Sequence, residues 1–340
     1  MEVTAKVPTR VDLAGGTLDL YPLYEVMEES PVTINFGISL YARATVSDKT
    51  TATAFHSVDQ SVEEGFNWSN CSPLDSRLPL LKGIFLRLWK KSWPSIHLTT
   101  QCQSPAGAGL GGSSALGIAV ASALNRMAVE KNLMSAMSEQ EIVDLVQSVE
   151  TKIIHCPAGV QDYWGAIRGR LNALSYQNGR VHINTLDGGF INSLDNRLVL
   201  CYSGVSRSSG INNWQIFKSV FDREERAIAQ LNELTRLSLL AYEAIEKESL
   251  DELLEHSKSE WDIRKKLWPA VETEETKRID AIIGKNTKGF SRVCGAGGGG
   301  VVAIFVPTEM REQSIKDLSD EGFQVLDGTI AREGITFYDC

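Results

Sequence analysis

The spacing of apolar positions changes several times along the chain. Val3 to Val7 alternates with polar residues and predicts a strand entering a glycine-containing loop, Ala14-Gly15-Gly16. Tyr41 to Val46 and Thr51 to Phe55 are short and rich in β-branched and aromatic residues, which predicts two more strands. Leu81, Ile84, Phe85 and Leu88 fall at helical spacing within Leu78 to Trp89. Ile96 to Thr99 alternates again as a strand. It feeds a glycine-rich stretch, Pro105 to Gly112, and then a helix of small residues from about Ser114 to Val129. Ser138-Glu139-Gln140-Glu141 has the form of a capping box. It opens a helix with Ile142, Val143, Leu145, Val146, Val149 and Ile153 along its apolar stripe. Short strands are predicted near Leu171 to Tyr176, Val181 to Ile183 and Leu198 to Cys201.

The second half is more helical. Asn213 to Lys247 is one long helical pattern, broken at most once, and Asp251 to Trp268 and Glu274 to Ile283 predict two further helices. A strand at Phe290 to Val293, a second glycine run at Gly295 to Gly300 and a strand at Val301 to Val306 come next. A short helix and strands near Phe323 to Leu326 and Ile335 to Tyr338 close the pattern. The 340 residues suit about two domains, and the change of character places a boundary near 187 to 200, giving units of 1–190 and 191–340.

Composition narrows the function classes. With 43% apolar and 23% charged residues the chain is expected to be globular, without long disorder. A net charge of −9 argues against a general affinity for nucleic-acid backbones, though not against a small anionic substrate held by a few local donors. No apolar run reaches 18 residues, so no membrane span is expected. The start has no basic-then-apolar leader pattern. Six scattered cysteines without a CxxC predict reduced thiols and a cytoplasmic protein, and five histidines without a ligand pairing predict no structural zinc.

Ser104-Pro-Ala-Gly-Ala-Gly-Leu-Gly-Gly-Ser-Ser114 lies between a predicted strand and a predicted helix. Residues without side chains let backbone N–H groups approach an anion, and a helix start adds a positive dipole end, so a phosphate cradle is the functional reading. The loop lacks the lysine of a GxxxxGK[ST] phosphate loop. It does contain GxGxxG at Gly107, Gly109 and Gly112, with Glu130 18 residues later, which keeps a dinucleotide-binding unit or a plain tight turn open at this point. Ser113 and Ser114 favour phosphate or magnesium, because their hydroxyls can serve either. Glu150 continues the stripe of Val143 and Val146 and is either an edge residue or a carboxylate facing a cleft. Asp162 follows a Pro- and Gly-containing turn and is either a helix N-cap or a second site carboxylate. One carboxylate on a metal and another beside an acceptor hydroxyl would suit phosphoryl transfer. Arg207 is either a phosphate contact or a solvated surface residue. The glycine run at 295–300 reads, on local sequence alone, as a flexible turn between strands.

Three segments, taken in order, resemble the superfamily of galactokinase, homoserine kinase, mevalonate kinase and phosphomevalonate kinase, the GHMP kinases. They are Val7-Pro-Thr-Arg-Val-Asp-Leu-Ala-Gly-Gly-Thr-Leu-Asp19, Pro105-Ala-Gly-Ala-Gly-Leu-Gly-Gly-Ser-Ser-Ala115 and Gly295-Ala-Gly-Gly-Gly-Gly300. The resemblance implies an α+β fold of two domains, the first like ribosomal protein S5 and the second ferredoxin-like. It also implies ATP with Mg2+. It places the nucleotide on Pro105, Gly107, Gly109, Leu110, Gly111, Gly112, Ser113 and Ser114, and the metal on Ser114 and Glu150. Asp162 matches the catalytic Asp and Arg10 the basic residue beside it.

Within the superfamily the chain is similar to sugar-1-kinases of the D-glycero-D-manno-heptose 7-phosphate kinase type. Their pattern, roughly R-x-x-x-A-G-G-G-T-D, is matched by Arg10-Val-Asp-Leu-Ala-Gly-Gly-Thr-Leu-Asp19, with Thr17-Leu18 in place of Gly-Thr. The galactokinase pattern G-E-H-T-D is absent. Gln161-Asp162-Tyr163 and Tyr202-Ser-Gly-Val-Ser-Arg207 resemble further heptokinase segments. The resemblance therefore implies phosphorylation of the anomeric hydroxyl of a sugar or heptose 7-phosphate, with Gly16, Thr17, Asp19, Arg207, Gly297 and Gly298 near that substrate. A mevalonate-type alcohol kinase and a nucleotide-binding sensor without catalysis are the alternatives. The partners implied are a small molecule and ATP, with no nucleic acid and no membrane.

Overall fold

A computed structural model describes residues 1–206, 211–286 and 289–339. In chain order the first half contains β1 (Glu2–Ala14), β2 (Val32–Ser47), β3 (Ala54–Ser57), β4 (Val62–Gly65), α1 (Pro79–Leu88), β5 (His97–Cys102), α2 (Gly112–Glu130), α3 (Glu139–Ile154), α4 (Gln161–Arg168), β6 (Leu171–Gln177) and β7 (Arg180–Leu186). The second contains α5 (Gly189–Arg197), β8 (Leu198–Tyr202), α6 (Ile211–Phe221), α7 (Glu225–Glu246), α8 (Leu250–Leu267), α9 (Glu274–Asn286), β9 (Phe290–Val293), β10 (Val301–Phe305), α10 (Arg311–Asp320), β11 (Gln324–Leu326) and β12 (Thr336–Asp339). Among the described residues no helix is long and apolar enough to cross a membrane.

Among those residues eight strands form one sheet, with β12-β1-β2-β5-β3-β4 as its main path and β6 and β7 joined to it through β2; four form a second, β11-β8-β10-β9. The α+β expectation holds, with the strands gathered in two sheets. The last strand departs from a simple division of the chain, because β12 pairs antiparallel with β1 in the larger sheet, Val3 opposite Asp339.

β1 and β2 are much longer than their alternating parts. From Val7 to Ala14, and from Val32 to Gly37, both faces are buried, so the period-2 signal disappears while the strand continues. Register shifts at Pro8/Thr9 and between Asp12 and Ala14 interrupt the β1–β2 ladder. They flank Arg10 and Asp12. The capping box at Ser138 forms as predicted and starts α3. The helical pattern at 213–247 breaks once, between α6 and α7.

Small residues set how closely the first-half helices pack. A Cβ on Gly117 of α2 would lie 2.5 Å from Val146 Cγ1 of α3, so the glycine permits a contact that alanine would not. That approach brings Glu150, on the same face of α3 as Val146, under the first turn of α2.

Candidate active site

The loop from Gln103 to Gly111 is tied to the middle of β1. The Arg10 backbone N–H donates to Leu110 O at 2.9 Å, and Arg10 Nη1 donates to Gly109 O at 2.6 Å. Gly111 caps α2 in a left-handed conformation, φ +67°, and a Cβ there would lie 3.2 Å from Asp162 Cγ. Only glycine gives this turn both its φ and its clearance. The first N–H groups of a 19-residue helix, left without helical partners, therefore face the same space as Asp162.

Ser114 Oγ donates to Glu150 Oε2 at 2.8 Å, and Tyr163 Oη donates to the same oxygen at 2.7 Å. Burial pushes the Glu150 carboxyl above its usual range, against the pull of the Tyr163, Ser113 and Ser114 hydroxyls. A cation at this carboxylate would favour its charged form. Magnesium is commonly held by one or two carboxylates together with substrate phosphates. A buried Glu150 beside the Ser114 hydroxyl at a phosphate-type loop fits that arrangement. Among the described residues no group of three or more His, Cys, Asp or Glu forms an all-protein cage.

Asp162 is the second residue of α4, not its N-cap, which is Val160. Its Oδ1 accepts from Arg10 Nε at 2.7 Å and lies 2.6 Å from Arg10 Nη2. The Asp162 side chain is 26% exposed while Arg10 is 4% exposed, so the carboxylate is reachable and its partner is not. Burial alone would lower the Arg10 pKa, but Asp162 and Asp12 hold it above the ordinary arginine value. Arg10 is thus a fixed positive charge.

Asp19 lies across from this pair, 2% exposed, and its Oδ2 accepts the backbone N–H of Gln161 at 3.0 Å. It caps α4 from a distant segment. Burial pushes its carboxyl up to about 6; the Gln161 N–H pulls down and the Asp162 charge pushes up further. Gln161 Oε1 is buried without a partner. Gly16 and Thr17 are held from α8: Arg264 Nη2 donates to Gly16 O, and Nη1 to Thr17 Oγ1 at 3.2 Å.

The site residues that sequence reasoning missed are charged and buried. Asp12 accepts from Arg292 Nη2 at 2.9 Å and from Gly295 N at 2.7 Å, and lies 3.9 Å from Arg10 Nη1. Burial would raise its pKa, but Arg292, Arg10 and Arg264 hold it below the ordinary carboxylate range. Glu260 accepts from Arg264 Nε at 2.7 Å and lies 3.2 Å from Arg292 Nη1. A signal existed in α8: Ser257, Glu260 and Arg264 occupy helical spacing, all buried on the same helix as Leu253, Leu254 and Trp261.

The second glycine run braces the first. Val301 N donates to Ala108 O at 2.7 Å, and Gly300 N to Val205 O at 2.8 Å. Gly297 and Gly298 turn toward Val271: a Cβ on Gly297 would lie 2.5 Å from Val271 Cβ, and Gly298 N donates to Val271 O at 2.7 Å. Arg207 lies outside the described residues.

A cavity of about 470 Å³ runs from Glu150, Ser114 and Asp162, past Arg10 and the backbone of 104–113, to Asp59, Gln60 and Arg77. Pro105, Gly107, Gly109, Gly111, Gly112 and Ser113 line it. Leu110 is buried and points away into the core. Among the described residues Gly16, Thr17, Asp19, Gly297 and Gly298 do not line it.

This combination defines a class. Residues 79–170 match the family model described as GHMP kinases N terminal domain. The chain is 26% identical over 340 residues to D-glycero-alpha-D-manno-heptose 7-phosphate kinase of Campylobacter jejuni, covering 98% of each. It is 22% identical over 334 residues to the bifunctional fucokinase/GDP-fucose pyrophosphorylase of Arabidopsis thaliana, covering 93% of this chain but 31% of that one. The crystal structure of a D-glycero-D-manno-heptose 1-phosphate kinase from Bacteroides thetaiotaomicron superposes with a TM-score of 0.79 at 21% identity, covering 99% of both chains. The chain has the fold of the GHMP kinases and carries their N-terminal domain.

Proposed function

We propose that this protein is an ATP-dependent sugar kinase that transfers the γ-phosphate to a hydroxyl, with the anomeric hydroxyl of a sugar or heptose 7-phosphate as acceptor. The observation that carries the reading is the meeting, around one cavity, of a glycine-rich helix start, a Glu150–Ser114 pair and a partly exposed Asp162 clamped by a buried Arg10. The heptose 7-phosphate kinase relative supports the choice of acceptor.

Each residue then has a task. The 107–113 backbone cradles the triphosphate, and the start of α2 supplies partial positive charge. Glu150 and Ser114 would hold Mg2+, which would neutralise phosphate charge when bound. Asp162 accepts or orients the proton of the attacking hydroxyl. Arg10 fixes the Asp162 carboxylate in place and adds positive charge beside the transferring group, where such chemistry depends mainly on positioning and electrostatics. Asp19 and the Gly16–Thr17 turn, off the cavity wall, support the acceptor end through the Asp19 bond to the Gln161 N–H beside Asp162.

The test is ADP release by the purified protein with Mg-ATP across hexoses, heptoses, their terminal phosphates, uronic acids, mevalonate and homoserine, with Asp162→Ala as control. Turnover on a sugar or heptose phosphate that the variant lacks supports the proposal. Turnover on mevalonate or homoserine alone replaces the acceptor class. Tight nucleotide binding with no turnover on any acceptor favours a sensor.

A further inference from the structure

Thr17 is a β-branched residue with φ +71°, in a region that L side chains rarely adopt and β-branched ones least of all. It follows two glycines in a turn whose own hydrogen bonds are few: Leu18 N donates to Gly15 O at 3.2 Å and Leu20 N to Thr17 O at 3.4 Å. Such a turn needs support from outside. That support comes from α8, far away in sequence. Arg264 forks onto the turn, donating to Gly16 O with one terminal nitrogen and to Thr17 Oγ1 with the other. Its Nε is anchored on Glu260 Oε1, which also accepts the Gly15 N–H at 3.3 Å. Glu260 is in turn paired with Arg292, and Arg292 with Asp12. All four are nearly or fully buried.

We infer that Arg264 is a positioning residue for the acceptor end of the site: its guanidinium holds the Gly16–Thr17 turn in its strained form, two residues before Asp19, whose carboxylate fixes the Gln161 N–H beside Asp162, with Glu260 and Arg292 fixing the guanidinium. Three features of the geometry separate this from simple charge balance. The fork uses two nitrogens on two different atoms of the turn, which a point charge cannot do. Gln161, whose buried Oε1 has no partner, approaches the same turn: its Nε2 would lie 3.1 Å from a Cβ on Gly16. Asp12 in the same network lies 3.9 Å from Arg10, so one chain of alternating charges reaches both the turn and the Asp162 clamp.

The acceptor role rests on the sugar-kinase reading; the hold on the turn does not, and two measurements keep them apart. The first is deuterium exchange on the free protein. Arg264→Met should speed exchange in peptides covering residues 13–20 and leave those covering 104–114 at the wild-type rate. Unchanged exchange at 13–20 overturns the inference whatever the enzyme phosphorylates. So does equal acceleration in every peptide in both Arg264→Met and Arg264→Lys. The second is kinetics on the acceptor that the panel identifies. Arg264→Lys keeps a positive charge beside Glu260 but loses the fork. It should lower the melting temperature no more than Arg264→Met does, while raising acceptor KM by about tenfold, the size of one lost charge-assisted hydrogen bond, with ATP KM within about twofold. A lysine variant with wild-type acceptor KM means that only charge matters there, and the inference falls. Altered exchange at 13–20 in a protein that phosphorylates nothing would remove the kinase reading and leave Arg264 as the residue that holds the turn.

Discussion

Residues 104–114 and 295–300 are both glycine-rich and meet where a Cβ on Gly300 would lie 2.5 Å from Ala108 O, yet their glycines are used differently. In the first loop glycine leaves backbone N–H groups facing a cavity and keeps Cβ atoms away from Asp162. In the second, glycine lets the chain press against Ala108, Val205 and Val271, so the run acts as a buttress behind the first loop. Similar composition therefore marks a cavity wall in one place and a packing surface in the other. What differs is which neighbours the tertiary fold supplies.

That contrast can be broken by experiment. The largest effect is expected at the reacting end of the first loop: Asp162→Ala should lower kcat by about 100-fold or more, while calorimetry still detects nucleotide binding. Next come the buttress glycines. Gly300→Ala would place a Cβ 2.5 Å from Ala108 O at φ +87°, and Gly297→Ala one 2.5 Å from Val271 at φ +77°. Each should cost about 2–3 kcal/mol of stability, read as a lower melting temperature, and the protein that remains folded should keep its ATP KM. If Gly297→Ala instead raised acceptor KM with no thermal change, the second run would be a substrate wall after all. Gly111→Ala should shift the balance, with turnover down about tenfold and a smaller stability loss of about 1–2 kcal/mol for a left-handed alanine. Glu150→Gln should raise the Mg2+ concentration for half-maximal rate by about tenfold; an unchanged requirement would move the metal elsewhere.

The smallest expected effect tests Asp19 through pH. Its carboxyl is raised from 3.8 to about 6 in the folded protein. The folded state therefore binds the proton more tightly than the unfolded chain between those values. This contribution is present at low pH and is lost as pH rises through about 6. Asp19→Asn removes the titration, so the fall in melting temperature from pH 5 to pH 8 should shrink by about 2–3 °C. An undiminished fall would show that Asp19 is not buried as described.

Much of this site is legible in the sequence because its chemistry is local. The first glycine loop, Ser114 and the capping box of α3 are short-range patterns, and Glu150 follows from helical spacing. The strand lengths of β1 and β2 were not legible, because burial on both faces erases alternation from Val7 and from Val32 onward. Of the buried network of Asp12, Glu260, Arg264 and Arg292, only the helical spacing of Glu260 and Arg264 in α8 gave a signal, and the pairing was not legible. Each member reads as an ordinary surface charge until segments about 250 residues apart are brought together. Asp19 reads as a substrate contact, while its observed bond is to the Gln161 N–H at the start of α4. Only the three-dimensional arrangement shows that one carboxylate supports the placement of another.

β1 lies between β2 and β12, and its partner on one side comes from the far end of the chain, Val3 opposite Asp339. A chain emerging from the ribosome completes β2 early but leaves the other edge of β1 open until residues 336–339 arrive. An unpaired edge strand is a template for pairing with other chains. During synthesis, and again during refolding, the main aggregation hazard of this protein therefore falls on its first strand. That hazard ends only when a contact of very large sequence separation closes, the kind of contact that folds slowly.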